Sequence, residues 1–136
     1  LEGIYEDLRG MAGEYEIPVW TASQANRSAL EEDVIDASKV SESYGKVMVA
    51  DFILSLSRKV QDKLAGTGRW HVIKNRFGPD GITLPSKMNT SNGQFDIYTD
   101  TSIQGKDTQK AMDNGNELAR QMLARKYNET QNTGFE

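Results

Sequence analysis

Residues 70–81, Trp-His-Val-Ile-Lys-Asn-Arg-Phe-Gly-Pro-Asp-Gly, constrain the chain more than any other stretch. Trp70, Val72 and Ile73 favour a strand, and Gly78-Pro79-Asp80-Gly81 reverses the chain directly after them. The spacing predicts a short strand that stops at a tight turn, with Lys74 and Arg76 two residues apart just before it. Side chains two apart in a strand point to one face, so both cations are expected to project together from the strand end. Such a pair suits phosphate, because the guanidinium is a planar fork and the ammonium a compact point charge. A solvated charge pair would satisfy the same two residues.

The remaining composition narrows the setting. A length of 136 residues fits one domain or a piece of one, and 37% hydrophobic with 26% charged residues is ordinary for a soluble globular chain. With no cysteine there is neither a disulfide nor a thiolate metal site, and the single histidine, His71, cannot build a histidine-rich one. No apolar run approaches the roughly 20 residues of a membrane span, and a cytoplasmic setting fits. The net charge of −4 conceals a segregation: residues 1–36 carry nine acids and two bases, whereas residues 37–76 carry eight bases and three acids. A basic middle suits an anionic partner such as a nucleotide or nucleic acid.

Leu1, Ile4, Leu8, Met11, Ala12 and Tyr15 follow helical spacing from the first residue. The chain is therefore expected to open inside a helix, as the C-terminal part of a longer protein. Pro18 to Ser23 reads as a short buried strand of the parallel type, ending at Gln24. Residues 26–46 read as a long polar loop with a capping box at Ser28 and Glu31, and loops of that length are commonly functional. A helical turn up to Ala50 and a strand over Phe52–Ser57 follow, with Asp51 at the threshold in a capping or pairing role. Residues 60–68 read as a polar connection. After the turn, Ile82–Leu84 and Phe95–Tyr98 read as strands of a hairpin closed by Ser91-Asn92-Gly93. Residues 101–106 read as a linker, followed by one or two short amphipathic helices interrupted at Asn114-Gly115-Asn116.

No Gly-x4-Gly-Lys-Ser/Thr phosphate loop is present: Gly45-Lys46 is followed by valine, and Gly66-Thr67-Gly68 by Arg69 and Trp70. Zinc-ligand spacing is absent, and His71 has no nucleophile elbow near it. What the residues offer is a polar strand end (Gln24), a long polar loop and a Lys-x-Arg pair.

Those three features occur in an order that resembles replicative hexameric DNA helicases of the DnaB family. Pro18-Val19-Trp20-Thr21-Ala22-Ser23-Gln24-Ala25-Asn26-Arg27 resembles the family's Pro-Val-x-x-x-Ser-Gln-x-Asn-Arg strand and loop. Ser41-Glu42-Ser43 with Ala50-Asp51-Phe52-Ile53 resembles its Arg-Glu-Ser…Ala-Asp-Leu-Ile segment. Lys74-Asn75-Arg76-Phe77-Gly78-Pro79-Asp80-Gly81 resembles Lys-x-Arg-x-Gly-Pro-x-Gly, and Asn92-Gly93-Gln94-Phe95 also has a counterpart. The resemblance spans residues 1–100 and is to the phage-type members. Serine at 41 and tyrosine at 44 depart from the family's usual arginine and glycine.

The resemblance implies an α/β class, a partial RecA-like P-loop NTPase fold with a mostly parallel sheet, flanking helices and a C-terminal β-hairpin, its phosphate loop missing. Residues 1–100 would be the C-terminal part of the ATPase domain, and residues 101–136 a linker and amphipathic helical tail. It also implies ATP and Mg²⁺ bound between identical subunits in a ring, most of their ligands lying upstream of this chain, with hydrolysis driving translocation on single-stranded DNA and duplex unwinding. Gln24 would sense the γ-phosphate of its own subunit, and Lys74 and Arg76 would reach the neighbour's ATP. Arg27, Glu42, Ser43, Tyr44 and Lys46 would face DNA, with Tyr44 stacking on a base and Lys46 supplying charge. A primase or helicase loader would be a further partner, in the cytoplasm of a bacterial host. Without the upstream phosphate loop, this chain would not hydrolyse ATP alone. Two other readings stand beside this one: a RecA-type recombinase or related ATPase without unwinding, and a non-catalytic DNA- or partner-binding domain.

Overall fold

The amphipathic spacing at the start of the chain forms a helix, α1 (Glu2–Tyr15), as its sequence predicts. A computed structural model of the protein describes residues 2–25, 34–35, 37 and 44–132. Beyond α1 its elements are α2 (Tyr44–Val49), β1 (Phe52–Ser57), α3 (Val60–Ala65), β2 (Thr67–Asn75), β3 (Thr83–Asn89), β4 (Gln94–Ile97) and α4 (Ile103–Asn132). They divide into two compact units, one of residues 1–57 and 70–83 and the other of residues 58–69 and 84–136.

The α/β class stands, and the described residues form four strands in the order β1-β2-β3-β4. The described sheet is antiparallel, which corrects the mostly parallel sheet expected from the sequence. The Arg76 amide donates to Asp51 O at 2.9 Å and Ser55 Oγ donates to His71 O at 3.5 Å, so numbers fall along β2 as they rise along β1. Ser86 Oγ to Gly68 O and the Met88 amide to Gly66 O show the same opposition of β3 and β2. A parallel crossover takes about a dozen residues or more, and residues 58–66 between β1 and β2 are fewer.

In the first unit, α1 packs on α2 and β1 pairs with the later part of β2. Residues 18–23, expected as a buried strand, are irregular, and Trp20 is 78% exposed with its ring edge-on to Phe52 at 6.1 Å. An inner parallel strand must be covered on both faces, and this one is not. Val72 is buried, while Ser55 and Ser57 are the buried residues of β1.

In the second unit, residues 60–68 are not a plain connection, because α3 lies within them. Asp62 in its first turn accepts the Lys59 amide at 2.8 Å, and Gly66 ends it in the left-handed region (φ +66°), its amide donating to Asp62 O. The hairpin forms as its turn residues predict: Ser86 pairs with Ile97, Asn89 with Gln94, and Gly93 takes φ +71°. Residues 103–106, expected as linker, already belong to α4, and the helix runs unbroken through Asn114-Gly115-Asn116. Packing on α3 explains the continuity. A side chain at Gly115 would sit 3.0 Å from Ala65 Cβ and Gln61 O, so glycine is what lets the helices close. Met88 and Met112 are buried in this unit, with Thr67, Thr108, Ser86 and the fully buried Asp62.

Candidate functional site

The site begins with the turn after β2. Asn75, the last residue of the strand, spans that turn: its Nδ2 donates to Pro79 O at 3.2 Å and its Oδ1 accepts the Phe77 amide at 3.1 Å. An asparagine side chain bonded to backbone on both sides stiffens a short reversal. Phe77 projects from it, 82% exposed. Arg76 is therefore the first turn residue and not the last residue of the strand.

Both expected cations are engaged within their own unit. Lys74 Nζ donates to Val47 O at 2.7 Å and to Met48 O at 3.2 Å, two of the carbonyls that α2 leaves unpaired at its C-terminal end. Arg76 Nη1 meets Asp51 Oδ1 at 2.5 Å, with about two fifths of each side chain still exposed. Arg9 of α1 shares that oxygen at 3.1 Å and donates to Val49 O at 2.5 Å. Three successive carbonyls of α2 and one carboxylate thus hold three cations. Asp51 takes the pairing role that its place before β1 suggests.

Gln24 is exposed in the irregular segment before Ala25, and among the described residues no hydrogen bond joins it to Lys74 or Arg76. Its neighbour Ser23 is tied to α2, since Lys46 Nζ lies 3.2 Å from Ser23 Oγ and 5.4 Å from the centre of the Tyr5 ring. Lys46 is buried. It anchors α2 to α1 and to the Ser23 segment; the DNA-facing role that the resemblance implies for it is a separate matter of function. Tyr44 begins α2. Arg27, Glu42 and Ser43 lie outside the described residues.

The partners of the cations are what sequence reasoning misses. Arg9 carries no signal beyond being the basic residue of an otherwise acidic helix face. Among the described residues no three histidine, cysteine, aspartate or glutamate side chains cluster closely enough to hold a metal ion. The residues that fit a nucleotide are Lys74 and Arg76, by charge and by the exposure of the turn, and phosphate would have to replace their present partners.

With this geometry in place, comparison with known proteins adds one similarity. Over 78 residues, 57% of this chain, the protein is 32% identical to a DnaB-like replicative helicase of Enterobacteria phage T4. It is related in sequence to a helicase. The chain spans 16% of that relative's length. No protein-family model matches it. Among the described residues no helix is long and apolar enough to cross a membrane.

Proposed function

We propose that this chain is the C-terminal part of a RecA-like ATPase domain in a hexameric replicative DNA helicase, which uses ATP hydrolysis at subunit interfaces to move along single-stranded DNA and unwind duplex. The observation that carries this reading is the similarity to the phage T4 DnaB-like replicative helicase. It accords with the ordered motifs at residues 18–27, 41–53 and 74–81. The site chemistry is compatible: Arg76 opens an exposed turn with the half-buried Lys74 just before it in β2, and Arg76 is held by a partly exposed carboxylate that phosphate can outcompete.

In this account Arg76 turns its fork to the neighbour's triphosphate and stabilises the charge that develops on the transferring group, with Lys74 as a second point charge. Gln24 reports the nucleotide state of its own subunit through the adjoining Ser23, which is bonded to α2. Arg27, Glu42, Ser43 and Tyr44 form the DNA-facing segment, with sequence-independent contacts to the strand, and Lys46 would have to leave Ser23 and Tyr5 to join them. ATP with Mg²⁺, single-stranded DNA, a ring of identical subunits and a primase or loader are the ligands and partners of this proposal, in a bacterial host cytoplasm.

One observation favours a second reading. Lys74 and Arg76 both have partners within the chain, as they would in a non-catalytic domain whose cations are only structural. The separating experiment is strand displacement from a forked duplex by the full-length protein. Displacement that requires hydrolysable ATP supports the helicase; strand exchange without displacement indicates a recombinase, and absence of nucleotide binding the non-catalytic domain.

A further inference from the structure

The geometry points to Asp51 as a positioning residue for Arg76: with the C-terminal carbonyls of α2 it forms a home berth that the Lys74 and Arg76 pair must leave before either cation can serve a phosphate. The inference rests on the proposed role of Arg76 and adds to it a counter-group and a coupling.

Three features support a berth over a permanent structural bridge. First, Arg76 and Asp51 are joined through the backbone as well as the side chain, because the Arg76 amide donates to Asp51 O at 2.9 Å. The ladder therefore survives when the guanidinium departs. Second, Asp51 does not depend on Arg76 alone. Arg9 Nη1 remains 3.1 Å from the same oxygen, so departure of Arg76 does not strand a carboxylate without a cation. Third, both partners are about two fifths exposed. At that exposure an ion pair is weak and exchangeable, whereas a buried pair such as Asp62 with Arg69 is not.

The berth also has a mechanical consequence. Lys74 supplies hydrogen bonds to Val47 O and Met48 O, the last-turn carbonyls of α2. When Lys74 leaves, two carbonyls of a six-residue helix lose their donor. The same helix carries Lys46, bonded to Ser23 beside Gln24. Engagement of the cation pair thus loosens the element that joins the Gln24 segment to residues 44–46.

The test compares Asp51→Asn, Asp51→Glu and Arg76→Ala in the full-length protein, measuring KM for ATP and kcat of DNA-stimulated turnover. Releasing the berth lowers the cost of engagement. Asp51→Asn should therefore raise kcat about two- to five-fold with KM for ATP near the parent, while Asp51→Glu, which keeps the charge, stays near the parent in both. A loss of kcat shared by both Asp51 variants would mark a merely structural residue and overturn the berth. If Arg76→Ala abolishes turnover while Asp51→Asn leaves kcat unchanged, the berth fails and the function reading stands. If Arg76→Ala retains full turnover, the function reading fails, and the berth is then decided by NMR of the Arg76 guanidinium in the 136-residue chain. Its side-chain rotation should be slowed in the parent and free in Asp51→Asn; identical rotation in both would overturn the berth.

Discussion

Arg76 and Asp51 meet twice, once through the Arg76 amide on Asp51 O at 2.9 Å and once through Nη1 on Oδ1 at 2.5 Å. The backbone contact fixes where the arginine starts, and the side-chain contact fixes where it rests. Pairing of β1 with β2 therefore delivers the guanidinium to a defined position beside the turn. Asn75 keeps that turn closed from within.

The buried counterpart of this pair lies in the second unit. Asp62 is fully buried and accepts from the Lys59 amide, Thr67 Oγ1 and Arg69 Nη1, the last at 2.6 Å. Removing a carboxylate with so many donors leaves a nearly buried guanidinium unpaired. Asp62→Ala should destabilise the protein by about 3–5 kcal/mol, read as a lower urea midpoint. A loss under about 1 kcal/mol, the scale of an exposed pair, would show that the network is not coupled to folding.

Two glycines should respond to alanine with opposite signs. Gly10 lies in α1, where an added methyl group would meet open space, so Gly10→Ala should stabilise by about 0.5–1 kcal/mol through helix propensity. Gly105 lies in the first turn of α4, where the same methyl group would collide with the backbone oxygen of Thr99. Gly105→Ala should destabilise by about 1–3 kcal/mol despite the same propensity gain. Thermal unfolding of both variants checks the pair, and equal signs would refute the close approach at Thr99.

Trp20 offers a test of the first unit. Its ring is largely exposed and rests edge-on against Phe52. Trp20→Ala should change stability by no more than about 1 kcal/mol, the scale of one aromatic pair. A loss of about 3 kcal/mol or more, typical of a core tryptophan, would restore the buried strand that the residues around it suggest. Tryptophan emission offers a parallel check, since a wet indole emits further to the red than a buried one.

Local chemistry is the legible part of the fold. The hairpin is readable because Ser91-Asn92-Gly93 dictates a reversal whatever surrounds it, and α1 because its apolar spacing is long and regular. The elements that sequence misplaces depend on contacts distant along the chain. Gly115 reads as a helix break until α3 is placed against it, and Pro18–Ser23 reads as a buried strand because β-forming residues imply a cover that they do not specify. The six-residue α3 is too short for periodicity to reveal, and the side chain that accepts at its start, Asp62, is three residues past Lys59 and not at it.

The candidate site shows the same division. Lys74 and Arg76 are readable as a pair of strand-end cations, because a two-residue spacing and a following turn are local facts. Their partners are not, since Val47, Met48, Asp51 and Arg9 reach them only through strand pairing and helix packing. The resemblance implies a DNA-facing role for Lys46, and the contacts of its ammonium with Tyr5 and Ser23 are a further pairing that no local pattern reveals.

The central claim is that Arg76 serves a neighbouring subunit's ATP, and Arg76→Ala in the full-length protein tests it most directly. Measured side by side, DNA-stimulated ATP turnover should fall by about 10³-fold or more, while nucleotide binding to the substituted subunit stays at the parent level. Turnover close to the parent, or binding lost in step with turnover, would contradict it.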